Sequence, residues 1–304
     1  MDNKIEVFIL TLKGSNRIQK LKKRLKEINI NYRVLFGING NIKKNHDKLK
    51  ILYNKKKTEN YIGRPLAFPE IAASYAHINA YKIIKREKIK SAIIMEDDVY
   101  PSKNLGKWIK NKTKIKDNFI LSFYAYPAIS FIFKKAEKSQ NTMNNIIKVH
   151  VAKTHLYNAS CYQINLKTCE KVLEINNNKV CGFGDWQFNL IKNKIKLGVT
   201  LPYLNIILNY KSNTALASKK FMQNSFNFKN KLSKSLQDIL RIFYYLSFLP
   251  FLMRKYKNFD FYHEYFFSKY LCYLENLIFK KYLDTSKIYY DKNFYSTDLK
   301  IPKL

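Results

Sequence analysis

The chain has 304 residues, enough for one large domain with an appendage or for two modest domains. Hydrophobic residues make up 46%, aromatics 15%, and there are only 8 Gly and 7 Pro, which excludes a linker-rich or disordered protein. The 56 Lys and Arg outnumber the 22 Asp and Glu, for a net charge of +34; such a surface suits an anionic partner, or reflects in part the Lys-rich bias of an A/T-rich genome.

The N-terminal KIEVFILTL (residues 4–12) has the continuous apolar pattern of a buried strand, flanked by Asp2 and Glu6 and followed by no cleavage signal. A polar turn leads to a predicted helix over 17–28, with Ile18, Leu21, Leu25 and Ile28 at helical spacing. YRVLFGINGN then reads as a second short strand ending in a Gly-containing turn. Strand, helix and strand in that order predict a parallel βαβ start. Residues 41–64, rich in Lys and Asn, are expected to be a mobile loop, and residues 69–88 a long helix. SAIIMEDDVYP follows, four apolar residues and then three acids, as in a buried strand with acids at its C-terminal end. Ligands of open α/β sheets bind at that end of the strands.

Further strands are expected within 119–133, 155–164 and 202–210, with a helix over 166–175 and a Gly-rich turn entering a helix at 181–191. Beyond about 225 the composition changes to a Lys- and aromatic-rich, helical pattern. This divides the chain into a first domain over 1–225 and a C-terminal region over 226–304. The apolar run over 243–253 falls short of the about 20 residues that a bilayer span needs, and Pro250, Arg254, Lys255 and Lys257 interrupt it. The tail suits either an amphipathic surface on anionic lipid or a helical appendage packed on the first domain. Cys161, Cys169, Cys181 and Cys272 have no C-x-x-C spacing, so neither a zinc site nor a disulfide framework is expected, and a reducing, cytoplasmic setting fits. If the tail lies on lipid, the protein would sit peripherally on the inner face of the inner membrane.

Glu96, Asp97 and Asp98 carry the chemistry. Carboxylates packed on a short rigid segment hold a hard dication, and such an ion neutralises a leaving diphosphate. The competing reading is an acidic turn capping a strand. The cluster resembles the D-x-D element of metal-dependent glycosyltransferases, with Glu in the first place. By that resemblance Asp98 ligates Mn2+ or Mg2+, and Glu96 joins it or faces the ribose or a metal-bound water.

Residues 5–215 resemble glycosyltransferase family 25, the lipooligosaccharide galactosyl- and glucosyltransferases. V-F-I-L-T-L-K-G-S-N-R places Leu12 and Arg17 where that family has Leu and Arg. Phe36-Gly37-Ile38-Asn39-Gly40 is similar to its f-x-A-v-D-G, with Asn39 in place of Asp. Pro69 through His77 is similar to G-E-I-G-C-A-L-S-H, keeping Glu70, Ile71 and His77 but with Pro69 for Gly and Ala76 for Ser. Residues 92–99, 158–164 and 184–186 match further motifs in the same order. The resemblance implies a GT-A-like, mostly parallel α/β sheet flanked by helices, and inverting transfer from a UDP-hexose to a lipooligosaccharide or other glycan acceptor. Galactose comes before glucose as the expected sugar.

On this reading Thr11, Leu12, Ser15, Arg17, Asn39, Gly40, Glu70, His77, Glu96 and Asp97 line the donor. Direct displacement needs a general base, and Asp185, on a Gly-flanked turn, is the first candidate; an N-cap is its other role. His77 suits a site or a core position, Arg17 a phosphate contact or a solvated surface, and Trp186 a sugar-stacking or a core position. Two other classes compete. A nucleic-acid-binding protein would account for the charge, but no RNP, zinc-knuckle or helix-turn-helix pattern is present, so no specific nucleic acid is expected. A family member that binds glycans without catalysis would not need the intact acids.

Overall fold

The computed structural model describes residues 4–208, apart from 63, 125–129, 143–144, 153–158, 183–192 and 202, together with 259–263 and 299. The elements in chain order are β1 (Glu6–Thr11), α1 (Ile18–Glu27), β2 (Arg33–Phe36), α2 (His46–Ile51), α3 (Lys55–Ile62), α4 (Phe68–Arg86), β3 (Ser91–Glu96), β4 (Val99–Pro101), α5 (Lys103–Lys110), β5 (Phe119–Ser122), β6 (Ser130–Thr142), β7 (Asn145–Ala152), β8 (Cys161–Asn165), α6 (Leu166–Ile175), β9 (Lys196–Leu201), β10 (Asn205–Ile207) and β11 (Phe259–His263).

Among the described residues, nine strands form one mixed sheet in the order β11-β6-β7-β9-β5-β8-β3-β1-β2, and β4 pairs with β10 separately. Strands β2, β1, β3, β5, β9 and β6 run one way, while β8, β7 and β11 run the other. The sheet is therefore mostly parallel in strand direction, as the βαβ pattern predicts. Strand β1 lies between β2 and β3, which explains its unbroken apolar run: a central parallel strand is covered on both faces.

Alternation along the strands divides the core. Phe8 and Leu10 of β1 and Ala92 and Ile94 of β3 pack with Ile71, Ile78, Tyr81 and Ile84 of α4 and with Val172 and Leu173 of α6. Val7, Ile9, Ile93 and Met95 point the opposite way, into Leu21 and Leu25 of α1 and Leu105 and Trp108 of α5. The sheet is thus flanked by helices on both faces.

Helix α4 sets the depth of the site. Pro69 occupies its first turn, and the Ala67 N–H donates to Glu70 Oε2 at 2.8 Å, satisfying a donor that a helix start leaves open. Glu70 is buried and gripped by both guanidinium nitrogens of Arg64, at 2.8 and 3.0 Å. The loop after β2 latches onto the same helix start: the His46 ring stacks on Phe68 at 3.7 Å, and its Nε2 lies 3.1 Å from the Gly40 carbonyl.

The mobile loop expected over 41–64 is not what forms. After a short 3-10 turn, α2 and α3 occupy this stretch. Lys and Asn dominate its composition and hide the apolar anchors, of which Leu49 is fully buried. The expected helix over 166–175 matches α6, and β8 forms the end of the strand expected over 155–164, of which 155–158 lie outside the described residues. In the C-terminal region expected to be helical, 259–263 form strand β11, paired with β6 and last in the sheet order among the described residues. The run Phe-Asp-Phe-Tyr-His is rich in the aromatics that strands favour. Apart from Leu299, the remainder of that region and the boundary near 225 lie outside the described residues, as do Cys272 and His155. Cys161, Cys169 and Cys181 are buried free thiols.

Gly40 tests this packing. A Cβ built there would lie 2.5 Å from the Phe68 carbonyl oxygen and 2.6 Å from the Pro69 Cα, both backbone atoms that cannot swing away. Gly40→Ala is expected to cost about 1–3 kcal/mol, as overpacking does, measured by urea denaturation.

Candidate active site

The site forms where β1 and β3 end together. Their parallel register sets Leu10 beside Glu96, so Thr11 and the turn after it lie against Asp97 and Asp98. Strand β8, antiparallel to β3, closes the other side: the Ser160 carbonyl accepts the Glu96 N–H at 2.7 Å. Three consecutive carboxylates in so small a space repel one another, and each is held differently.

Asp97 is the anchor. Its Oδ2 accepts the hydroxyls of Thr11 at 2.7 Å and Ser15 at 2.9 Å, and its Oδ1 lies 3.1 Å from Arg17 Nη2. Both oxygens are therefore taken, and the side chain is buried. The Ser15 N–H also donates to the Leu12 carbonyl at 3.1 Å, which brings the turn back over the acid. Asp97, Thr11 and Ser15 thus serve to clamp the β1 turn onto β3.

Arg17, at the start of α1, also pairs with Asp98 through Nη2. Asp98 Oδ1, in contrast, is buried with no hydrogen-bond partner. Burial, then the charge of Glu96, push the Asp98 carboxyl up to about 7, and Arg17 opposes the shift.

Glu96 faces the other way. His77, from the middle of α4, approaches Glu96 Oε1 through Nε2 at 3.3 Å, and its Nδ1 lies 2.9 Å from the Tyr162 hydroxyl of β8. The Tyr162 hydroxyl is in turn 2.7 Å from that of Tyr81. Burial raises the Glu96 carboxyl, but the hydrogen bond and charge of His77, with Arg17 beyond, outweigh it and hold the group below its usual range. The Glu96 side chain is 40% exposed whereas that of His77 is 4% exposed, so the carboxylate faces outward while its support is buried.

Thr11, Leu12, Ser15, Arg17, His77, Glu96, Asp97 and Asp98 are therefore brought to one place. For Asn39, Gly40 and Glu70, also expected to line the donor, the structure gives contacts within the protein. Asn39 Oδ1 accepts the Asn41 N–H at 3.0 Å within the turn, and Gly40 and Glu70 fix the start of α4. Asp185 and Trp186 lie outside the described residues. Sequence reasoning missed Tyr162, Tyr81 and Arg64. Tyr162 falls within a recognised motif strand, but its partners stand 85 and 81 residues earlier, a pairing that only the antiparallel β3–β8 register creates.

The described residues contain no group of three His, Cys, Asp or Glu side chains arranged to hold a metal ion by themselves. The donor set instead suits a hard dication that arrives with a phosphate ligand. For Mg2+ one or two carboxylates suffice when substrate phosphates complete the shell. Asp98 Oδ1, buried and unpartnered, and the half-buried Glu96 carboxylate meet that description.

A mixed α/β sheet with an acidic, strand-end site held by a cationic turn defines the class of this protein. Its sequence matches glycosyltransferase family 25 (LPS biosynthesis protein) over residues 4–184, more than half of the chain, and the protein belongs to that family. No match is found among curated proteins. Among solved structures, a mannose-1-phosphate geranyltransferase from Thermus thermophilus is similar over 58% of this chain and 61% of its own, at 8% identity and a TM-score of 0.30. That likeness is too slight to bear on activity.

The state of Asp98 yields a stability prediction for the ligand-free protein. Its folded carboxyl is raised from the ordinary 3.8 to about 7, so ionising it costs stability as pH rises through that window, and the cost is complete above it. Asp98→Asn removes the cost. In the presence of chelator the variant is expected to be more stable than the wild type at pH 8 by about 1–3 kcal/mol, with the gap closing below pH 4, as read by denaturation at each pH.

Proposed function

We propose that this family 25 glycosyltransferase moves a hexose from a UDP-sugar to a lipopolysaccharide or lipooligosaccharide glycan with Mn2+ or Mg2+, inverting the anomeric centre. Galactose is the first expectation for the sugar and glucose the second. The observation that carries this reading is the division of labour among three adjacent acids: Asp97 is locked into the protein, Asp98 keeps a buried oxygen without a partner, and Glu96 faces outward.

In this reading Asp98 and Glu96 hold the metal, which would neutralise charge collecting on the departing diphosphate. Arg17 supplies a further positive charge at a helix start, where anions are already favoured. His77 keeps Glu96 oriented and ionised, while Thr11 and Ser15 keep the β1 turn from drifting across the donor. Asp185 is proposed as the base that takes the proton from the acceptor hydroxyl as it attacks the face opposite the leaving diphosphate.

The net charge of +34 suits a phosphorylated glycan and an anionic membrane surface alike. No helix among the described residues is long and apolar enough to cross a membrane. Peripheral attachment through the C-terminal region, at the cytoplasmic face where nucleotide-sugars are made available, completes the proposal.

The test is product formation from a panel of UDP-hexoses and truncated lipooligosaccharide acceptors, read by mass spectrometry with and without chelator. One hexose is expected to be added, and chelator is expected to stop its addition. Asp98→Ala is expected to reduce turnover at least about 100-fold, and Asp185→Asn by about 100- to 10,000-fold, as for loss of a general base. Turnover indifferent to both chelator and Asp98→Ala would refute the proposal.

A further inference from the structure

Among the described residues, exposed large apolar side chains are confined to one stretch of chain. They are Phe36, 62% exposed, Ile42, 41% exposed, and Ile51, 71% exposed. From Ile42 onward the same stretch is cationic, with seven lysines over 41–57 against a single acid, Asp47. That acid is engaged with Lys50 at 2.9 Å. One exposed apolar residue needs no explanation, but several within a cationic segment mark an interaction surface.

The stretch forms a rim at the acid end of the sheet. Phe36 ends β2 and pairs in register with Thr11, whose hydroxyl donates to Asp97. Helix α4 then returns from this end of the sheet toward the start of β3. His77, which reaches Glu96, stands nine residues after Phe68, so α4 begins about 14 Å further out along its own axis. Helix α2 is fixed to that outer end. His46 stacks on Phe68, and the Tyr53 hydroxyl accepts the Leu66 N–H at 2.9 Å. Leu49 is buried on the inner side of α2, while Lys48, Lys50 and Ile51 are exposed. The rim is thus cationic and apolar at once, held by the start of α4, and at the same end of the sheet as the site.

We propose that this rim, residues 42–51 with Phe36 beside them, is a docking surface for an anionic lipid bilayer. A soluble polyanion would use the lysines and leave the isoleucines in water. A bilayer uses both. Its head groups attract lysine, at about fivefold in partitioning for each, and exposed apolar side chains enter the boundary below the head groups. Docking here turns the acids toward the surface from which a lipid-linked glycan projects. That consequence rests on the acceptor reading given above, whereas the docking itself does not. The C-terminal region would then tether the protein, and the rim would set its orientation.

The experiment measures sedimentation of the full chain with vesicles of phosphatidylglycerol and phosphatidylethanolamine, against neutral phosphatidylcholine vesicles. Wild type is expected to bind the anionic vesicles, less as salt rises, and to leave the neutral ones unbound. Lys43→Gln, Lys44→Gln, Lys48→Gln and Lys50→Gln combined are expected to lower partitioning at least about tenfold, and Ile42→Ser with Ile51→Ser about five- to tenfold. Ile51→Trp locates the contact whatever the C-terminal region does. Its added fluorescence is expected to be quenched by lipid brominated near the head-group end of the acyl chains, and this decides the matter if a combined variant does not fold. Transfer to a lipid-free truncated acceptor is expected to be unchanged in both combined variants. Full vesicle binding by both combined variants overturns the proposal, as does an unquenched Ile51→Trp. So does a lysine variant with normal vesicle binding and a raised KM for the lipid-free acceptor, because the surface would then hold the glycan itself. If the wild type turns over no UDP-hexose, the transferase reading fails, while the vesicle measurements still decide whether the rim docks.

Discussion

Three carboxylates in sequence at the end of a buried strand cannot all be ionised there unless something separates their fates. The structure depends on how that repulsion is resolved. Asp97 is drawn inward by two hydroxyls and a guanidinium, Glu96 outward against a histidine, and Asp98 is left between them with one oxygen unmatched. The strain is concentrated on Asp98, whose carboxyl is raised to about 7. A group so placed weakens the fold when it ionises, and in the proposed reading a bound cation would relieve it. This is the usual relation between a functional site and stability.

The fold supplies what this arrangement needs. Because β1 and β3 are parallel neighbours, their C-terminal ends coincide, and the turn after β1 falls on the acids. Helix α4 covers the same end, and its start is fixed by Glu70, Arg64 and the close approach of Gly40, so His77, two turns further on, is carried to a definite depth. The antiparallel β8 then brings Tyr162 to the buried side of His77. Removing any one of these supports leaves the carboxylates present but loosely aimed.

Much of this was legible in the sequence, and the reason is local. The apolar runs of β1 and β3, the helical periodicity of α1 and α4, and the acids at the end of AIIM are all patterns confined to about a dozen residues. What was not legible depends on distance or on competition. Glu70 reads as a motif residue, yet its carboxylate is used by Arg64 and a helix N–H. Asp97 reads as one acid of three, and only the Thr11 and Ser15 hydroxyls, more than 80 residues earlier, show that it is an anchor. The two helices over 46–62 were hidden by a Lys- and Asn-rich composition whose few apolar positions carry the packing.

The central claim is that Asp98 and Glu96 are open for a metal that binds together with the nucleotide diphosphate, while Asp97 is not. Calorimetric titration of UDP into the protein with Mn2+ and with chelator tests it most directly. The account predicts that Mn2+ tightens UDP binding by tenfold or more, about 1.4 kcal/mol of coupling, and that this coupling is absent in Asp98→Asn. Equal UDP affinity with and without the metal, or coupling that survives in Asp98→Asn, would contradict it.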